Sequence, residues 1–148
     1  MTGDLPAALA GPGRIFIDTN ILVYSYDHDE PRKQRAATQT LLAIGGERAV
    51  LSAQVLNEFY ITVTRKLKRP LDGFRAREAI DVLGQLDVVP IDAGLVAAAV
   101  VRSQQSQLSL WDSLVVEAAR RARCGVLLTE DLNAGAVFGG VRVVDPFA

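Results

Sequence analysis

Four acidic residues stand where the surrounding pattern asks for apolar side chains. Asp18 follows directly on Ile15-Phe16-Ile17, and Asp131 follows Val126-Leu127-Leu128 after two residues. Glu58 borders an apolar stripe of Val55, Leu56, Phe59 and Val63. Asp112 has Val115, Val116 and Ala119 at +3, +4 and +7, which puts it on their helical face. Taken singly, each has a plain structural reading. Asp18 and Asp112 are then helix caps, Asp112 with Trp111 as a hydrophobic staple. Glu58 is a boundary residue reaching solvent, and Asp131 a turn residue. Taken together, they are carboxylates from separate elements on one rim, and such a cluster repels itself unless cations hold it. Oxygen ligands without histidine or cysteine select Mg²⁺ or Mn²⁺. The chemistry that follows is metal-assisted phosphodiester hydrolysis.

The elements that must position these groups read as alternating strands and helices. Short apolar runs at 14–17, 49–51, 88–91, 126–128 and 141–144 predict strands. Helices are predicted over 21–26, 31–44, 53–67, 74–86, 93–103 and 110–123. Asp29 or Glu30 caps the second of these, with Pro31 at its first position; Ser52 and Asp92 cap the third and the fifth. Unbroken apolar strands between helices argue for a parallel sheet covered on both faces. Ligands of such sheets bind beyond the carboxyl ends of the strands, where Asp18 and Asp131 fall.

Composition narrows the functions available. The 148 residues make one domain, with residues 1–13 expected as a flexible leader and 14–148 as the folded unit. The leader has no basic start and carries Asp4, unlike a secretory signal. No apolar run approaches the ~18 residues of a membrane span. Cys124 and His28 are the single cysteine and histidine, which excludes a disulfide framework and the usual zinc site. A Cys–His or Ser–His catalytic pair is excluded too, unless His28 serves alone. With no export signal, the cytoplasm is the expected location. The formal net charge of −1 gives no nucleic-acid footprint by itself. Arg65, Lys66, Lys68 and Arg69 nevertheless crowd a Pro/Gly loop, either to track phosphates or as a solvated helix end. Arg120, Arg121 and Arg123 read as cations at a helix C-terminus, His28 as a solvated loop residue and Trp111 as a packing residue. The Ala/Val-rich helix from Ala93 reads as core, with a dimer interface as its other use.

The chain also resembles a known family. Asp18-Thr19-Asn20-Ile21-Leu22-Val23-Tyr24 looks like the opening motif of PIN domains. Gln54-Val55-Leu56-Asn57-Glu58-Phe59-Tyr60, Leu110-Trp111-Asp112-Ser113 and Leu127-Leu128-Thr129-Glu130-Asp131-Leu132 resemble the second, third and fourth. The ordered set is what carries the resemblance, and size and closing segment are most similar to VapC-type toxins. The resemblance implies a three-layer α/β/α sandwich with a central parallel sheet. It implies a Mg²⁺- or Mn²⁺-dependent endoribonuclease cutting single-stranded or loop RNA, a homodimer, and a cognate antitoxin that enters the active-site groove. Asp18, Glu58, Asp112 and Asp131 would be its catalytic, metal-holding quartet. Thr19 or Asn20 would orient Asp18 or a water on the metal, and Thr129 and Ser113 would support the ligands from behind. Glu130 competes with Asp131 for the fourth place; the motif position and the shorter, stiffer side chain favour Asp131. Leu-Asn-Ala-Gly after Asp131 departs from many relatives, which often carry a polar or basic residue before the glycine, and this leaves the role of Asn133 open.

Rival readings fail on specific residues. A response-regulator receiver needs a lysine after its last strand, where Asp145-Pro146 stands, and every lysine lies between Lys33 and Lys68. A haloacid-dehalogenase-type phosphatase wants a second aspartate two residues after the first, where Asn20 stands, and a later lysine. A PIN-like ribonuclease of RNA processing without an antitoxin and a non-catalytic partner-binding scaffold are the alternatives that remain; the intact quartet argues against the scaffold.

Overall fold

The computed structural model describes residues 7–148. In chain order they form α1 (Ala7–Ala10), β1 (Ile15–Ile17), α2 (Thr19–Tyr24), α3 (Pro31–Ile44), β2 (Ala49–Ser52), α4 (Ala53–Arg65), α5 (Gly73–Leu83), β3 (Asp87–Val89), α6 (Ala93–Ser106), α7 (Leu110–Arg121), β4 (Val126–Leu128), β5 (Val137–Phe138) and β6 (Val141–Val144). The strands run in the order β3-β2-β1-β4-β6-β5. Every neighbouring pair is parallel except β5 with β6.

The central strands are buried along their whole length, as a sheet covered on both faces requires. Ile15, Phe16, Ile17, Leu51, Leu127 and Leu128 form the middle of the core, closed by Val55, Phe59 and Val63 of α4 and by Leu95, Ala99, Val116 and Ala119 of α6 and α7. The strand register aligns Ile17 with Leu128, and Leu128 with Val144. The chain therefore leaves β1 and β4 side by side on one edge, and Asp18 N–H bonds the Leu128 carbonyl there at 3.0 Å. This is the three-layer arrangement expected. No helix among the described residues is long and apolar enough to cross a membrane.

Three details differ from expectation. The sheet has an additional antiparallel edge strand, β5, joined to β6 through Gly139 (φ 55°) and Gly140 (φ 87°). Two consecutive positive φ values are what a tight hairpin of right-handed twist needs, and glycine supplies them without strain. Helix α5 stops at Leu83, short of Leu86, and α6 continues to Ser106, past Ser103. Of the expected leader, residues 1–6 lie outside the described residues, while Ala7–Ala10 form a turn of helix whose Leu9 is 0% exposed and packed in the core. That part of the leader is docked. Leu9→Ala should therefore lower unfolding stability by about 2–5 kcal/mol, the range for emptying a buried leucine site, in denaturant melts. No change would mean the turn contributes nothing.

Candidate active site

The carboxyl edge of β1 and β4 is built around one hydroxyl. Thr129, fully buried at the end of β4, donates its Oγ1 hydrogen to Asp18 Oδ2 (2.8 Å). The same oxygen accepts from Asn20 Nδ2 (3.1 Å) and from Asp131 N–H (3.1 Å). One donor and two acceptor positions are all that a threonine hydroxyl has, so it is saturated. Asn20 Nδ2 also reaches Asp131 Oδ2 (3.0 Å), and its Oδ1 accepts from Glu130 N–H (3.3 Å). Asp18 is the N-cap of α2, its Oδ1 accepting from Thr19 N–H at 2.8 Å. The cap and the site are thus one residue: each carboxylate oxygen has its own donor.

Glu58 reaches this edge from α4. Its Oε2 accepts from Thr19 Oγ1 (3.1 Å) and its Oε1 from Gln54 Nε2 (3.0 Å). Gln54, one helical turn before Glu58, also donates to the Trp111 carbonyl (3.3 Å) and so ties α4 to the start of α7. Thr19 orients Asp18 through its backbone, while its hydroxyl serves Glu58. Asp112 lies in the first turn of α7, whose N-cap is Ser109, not Asp112: Ser109 Oγ accepts from Asp112 N–H at 3.0 Å. Asp112 is therefore not the cap of this helix. Trp111 is 64% exposed and does not pack as expected. The Ser113 hydroxyl, fully buried, meets no hydrogen-bond partner among the described residues, so no supporting contact from it to a carboxylate is present.

Electrostatics join the four acids. Asp18 is only 6% exposed, and burial raises its carboxyl to a pKa of about 6; the charges of Asp131 and Glu58 push the same way, against the Thr19 and Thr129 hydrogen bonds. Burial likewise raises Asp112, helped by Asp131 and Glu58 and opposed by Ser109. Glu130 faces elsewhere: its Oε2 accepts from Tyr24 OH (2.6 Å) and its Oε1 from Lys33 Nζ (2.9 Å).

Beside the carboxylates opens a cleft of about 550 Å³ lined by Thr19, Asn20, Tyr24, Asp27, Glu58, Lys66 and Asp131, with Val23, Ile61 and Thr62. Of the four basic residues expected to meet nucleic acid, Lys66 lines this cleft. Arg69 instead pairs with Asp29 at 2.9 Å, and Arg65 and Lys68 are exposed outside it. Arg120 and Arg121 serve structure, pairing with Glu117 and Asp92. His28 is exposed in a separate hollow against α5. Asn133 is exposed and accepts a turn hydrogen bond at its carbonyl.

Among the described residues no three carboxylate, histidine or cysteine side chains close into a ready-made metal cage. An ion such as Mg²⁺ does not need one, since it keeps several waters and takes one or two carboxylates. An all-oxygen donor set, two carboxyls raised by burial and by the charges of Asp131 and Glu58, and an open cleft beside them fit such an ion. Gln54 and Tyr24 stood in the motif segments without a role, and Lys33 and Asp27 were not connected with the site. The spacing of Gln54, four residues before Glu58, was a usable signal; the others are brought in by tertiary contacts alone.

The fold is similar to several solved structures. A toxin–antitoxin complex from Klebsiella pneumoniae matches with a TM-score of 0.67 at 22% identity, covering 89% of this chain and 97% of that chain. The sarcin–ricin-loop-cleaving VapC toxin of Mycobacterium tuberculosis matches at 0.59 and 20%, covering 76% and 86%. FitAcB from Neisseria gonorrhoeae matches at 0.61 and 19%, covering 90% and 98%. At these identities the likeness is one of fold. No curated protein matches the chain. The family model described as PIN domain matches residues 15–137, which is most of the sequence, and the chain belongs to the PIN-domain family.

Proposed function

We propose that this PIN domain is a divalent-metal-dependent endoribonuclease that cuts single-stranded or loop RNA, and that it is the toxin of a toxin–antitoxin pair. The observation that carries the reading is the Thr129-centred knot, which gathers Asp18, Asp131 and Asn20 at one strand edge with Glu58 beside them. A carboxylate buried as Asp18 is, with the charges of Asp131 and Glu58 beside it, is a costly arrangement, and a cation relieves it. Asp18, Glu58, Asp112 and Asp131 would hold one or two Mg²⁺ or Mn²⁺ ions. When bound, such an ion neutralises phosphate charge and lowers the pKa of water. The protein's part is placement: Thr19 and Gln54 aim Glu58, Thr129 and Asn20 aim Asp18 and Asp131, and Lys66 meets a phosphate of the substrate.

A toxin–antitoxin complex among the structural neighbours supports an antitoxin partner; a cytoplasmic homodimer is part of the same proposal. The deciding experiment is cleavage of a mixed single-stranded RNA pool with Mg²⁺, Mn²⁺ or EDTA, wild type beside Asp18→Asn. Cutting that requires both the metal and Asp18 is the expected result. No cutting together with no metal binding by calorimetry would overturn the reading in favour of a partner-binding scaffold. A cutting enzyme that arrests no growth on expression without a partner would place it in RNA processing instead.

Lys66 gives a separate prediction. Lys66→Met should raise KM for RNA at unchanged kcat and lower the slope of log affinity against log salt by about 1, the loss of one phosphate contact. Arg69→Met, whose guanidinium is committed to Asp29, should do neither.

A further inference from the structure

Glu130 sits between Thr129 and Asp131 yet turns away from the cleft that Asp131 borders. Its carboxylate is held at both oxygens, by Tyr24 OH (2.6 Å) and Lys33 Nζ (2.9 Å), and Lys33 Nζ also touches Tyr24 OH (3.1 Å). The same ammonium lies over the rings of Tyr24 (4.7 Å to the centroid) and Phe147 (5.4 Å). Those two rings meet edge to face at 5.1 Å. Four separate segments therefore converge on one side chain: the end of α2, the start of α3, the turn after β4 and the segment after β6. As an ion pair this is half exposed, with Lys33 at 36% and Glu130 at 22%, and such pairs are worth only about 0–1 kcal/mol of stability. A four-segment construction for so small a return needs another use. Asp131 is exposed, and Asn20 Nδ2 supplies the direct hydrogen bond to its carboxylate. Its backbone N–H is held by Thr129 Oγ1, within a 129–131 turn that the Glu130 side chain ties to α2 and α3.

We propose that Lys33, Glu130 and Tyr24 form a brace that positions Asp131 toward the cleft. The inference rests on the reading that Asp131 helps hold a divalent ion. The three are positioning residues: they act through the 129–131 turn, as partners behind metal ligands do.

The charge of Lys33 makes the test sharp. A bare point charge near a cation site repels the cation, so deleting it should tighten binding. Deleting a brace should weaken binding. Calorimetric titration of the full chain with Mn²⁺ should give a Kd about 10-fold higher for Lys33→Met than for wild type. Tyr24→Phe, which keeps the ring packing, should show a smaller rise of the same sign. Lys33→Arg, which keeps donor and charge, should restore wild-type affinity. In EDTA, amide hydrogen exchange at Glu130, Asp131 and Leu132 should quicken in Lys33→Met. An unchanged Kd with unchanged exchange would overturn the brace. A tighter Kd would also overturn it, showing that Lys33 acts as a charge or that a freed Glu130 becomes a ligand. If wild type binds no Mn²⁺, the metal reading falls, and the metal-free exchange still decides the brace.

Discussion

Asp18→Asn should inactivate the protein and stabilise it. Loss of one metal-holding carboxylate is expected to cost about 10³-fold in RNA cleavage, several kcal/mol of charge stabilisation. The stability gain follows from the raised carboxyl. Asp18 titrates near 3.8 in the unfolded chain and at about 6 in the fold. Between those values the folded chain binds the proton that the unfolded chain has released, so metal-free stability falls as pH rises from about 4 to about 6. Above 6 the whole penalty is present, about 3 kcal/mol; below 4 it is absent. Asparagine carries no such penalty. It keeps the acceptor for Thr19 N–H, but its amide cannot accept from Thr129, whose hydrogen then lacks an acceptor. Leaving that buried donor unpaired costs about 1–3 kcal/mol, which leaves a net gain of about 0–2. For a domain near 150 residues this raises Tm by up to about 8 °C at pH 7 in EDTA. At pH 4 the gain should vanish or reverse. Divalent metal should stabilise the wild type and not the variant, and should bind less tightly below pH 6. A lower Tm for Asp18→Asn at pH 7 in EDTA would contradict the buried, repelled carboxylate.

What was legible in the sequence depended on how local the cause was. Asp18 stood out because an acid directly follows three buried strand residues at a strand's carboxyl end, although the sequence also allowed the capping role that it takes with Thr19 N–H. Ser52 and Asp92 were readable caps because the N–H each accepts lies three residues on. Asp112 was ambiguous: the sequence offered both a cap and a free carboxylate, and Ser109, three residues earlier, takes the capping role. Between Glu130 and Asp131 the sequence weighed only motif position and side-chain length. The physical reason they differ lies in Tyr24 and Lys33, which are 106 and 97 residues away. Strand β5 is two residues long, too short for any periodicity, and exists because the Gly139-Gly140 turn folds it onto β6. Leu9, isolated among small residues, gave no pattern; only the finished core shows that it is needed. Trp111 failed for the opposite reason: hydrophobicity argued for packing, but its place at the first turn of α7 points it outward.

Thr129→Val is the counterpart of Asp18→Asn, because here stability and activity should fall together. Valine keeps the shape and removes the oxygen that Asp18, Asn20 and Asp131 share. Three hydrogen bonds at about 1 kcal/mol each put the loss near 3 kcal/mol, or about 6–12 °C in Tm. Asp18 loses a donor to its charged form, so its carboxyl should rise further above its ordinary range, and the metal-free loss should be larger at pH 7 than at pH 4. Cleavage should fall about 10- to 100-fold, the usual cost of removing a partner behind a metal ligand, with Mn²⁺ affinity falling in parallel. Thr129→Ser separates the hydroxyl from the packing. It forfeits one methyl, about 1 kcal/mol, and keeps the hydroxyl, so its activity and Mn²⁺ affinity should stay near wild type. If serine fails as badly as valine, the methyl packing of Thr129 is needed as much as its hydroxyl, and the shared oxygen alone does not set the carboxylates. If both variants cut RNA normally, Asp18 and Asp131 reach their working positions without a common tether.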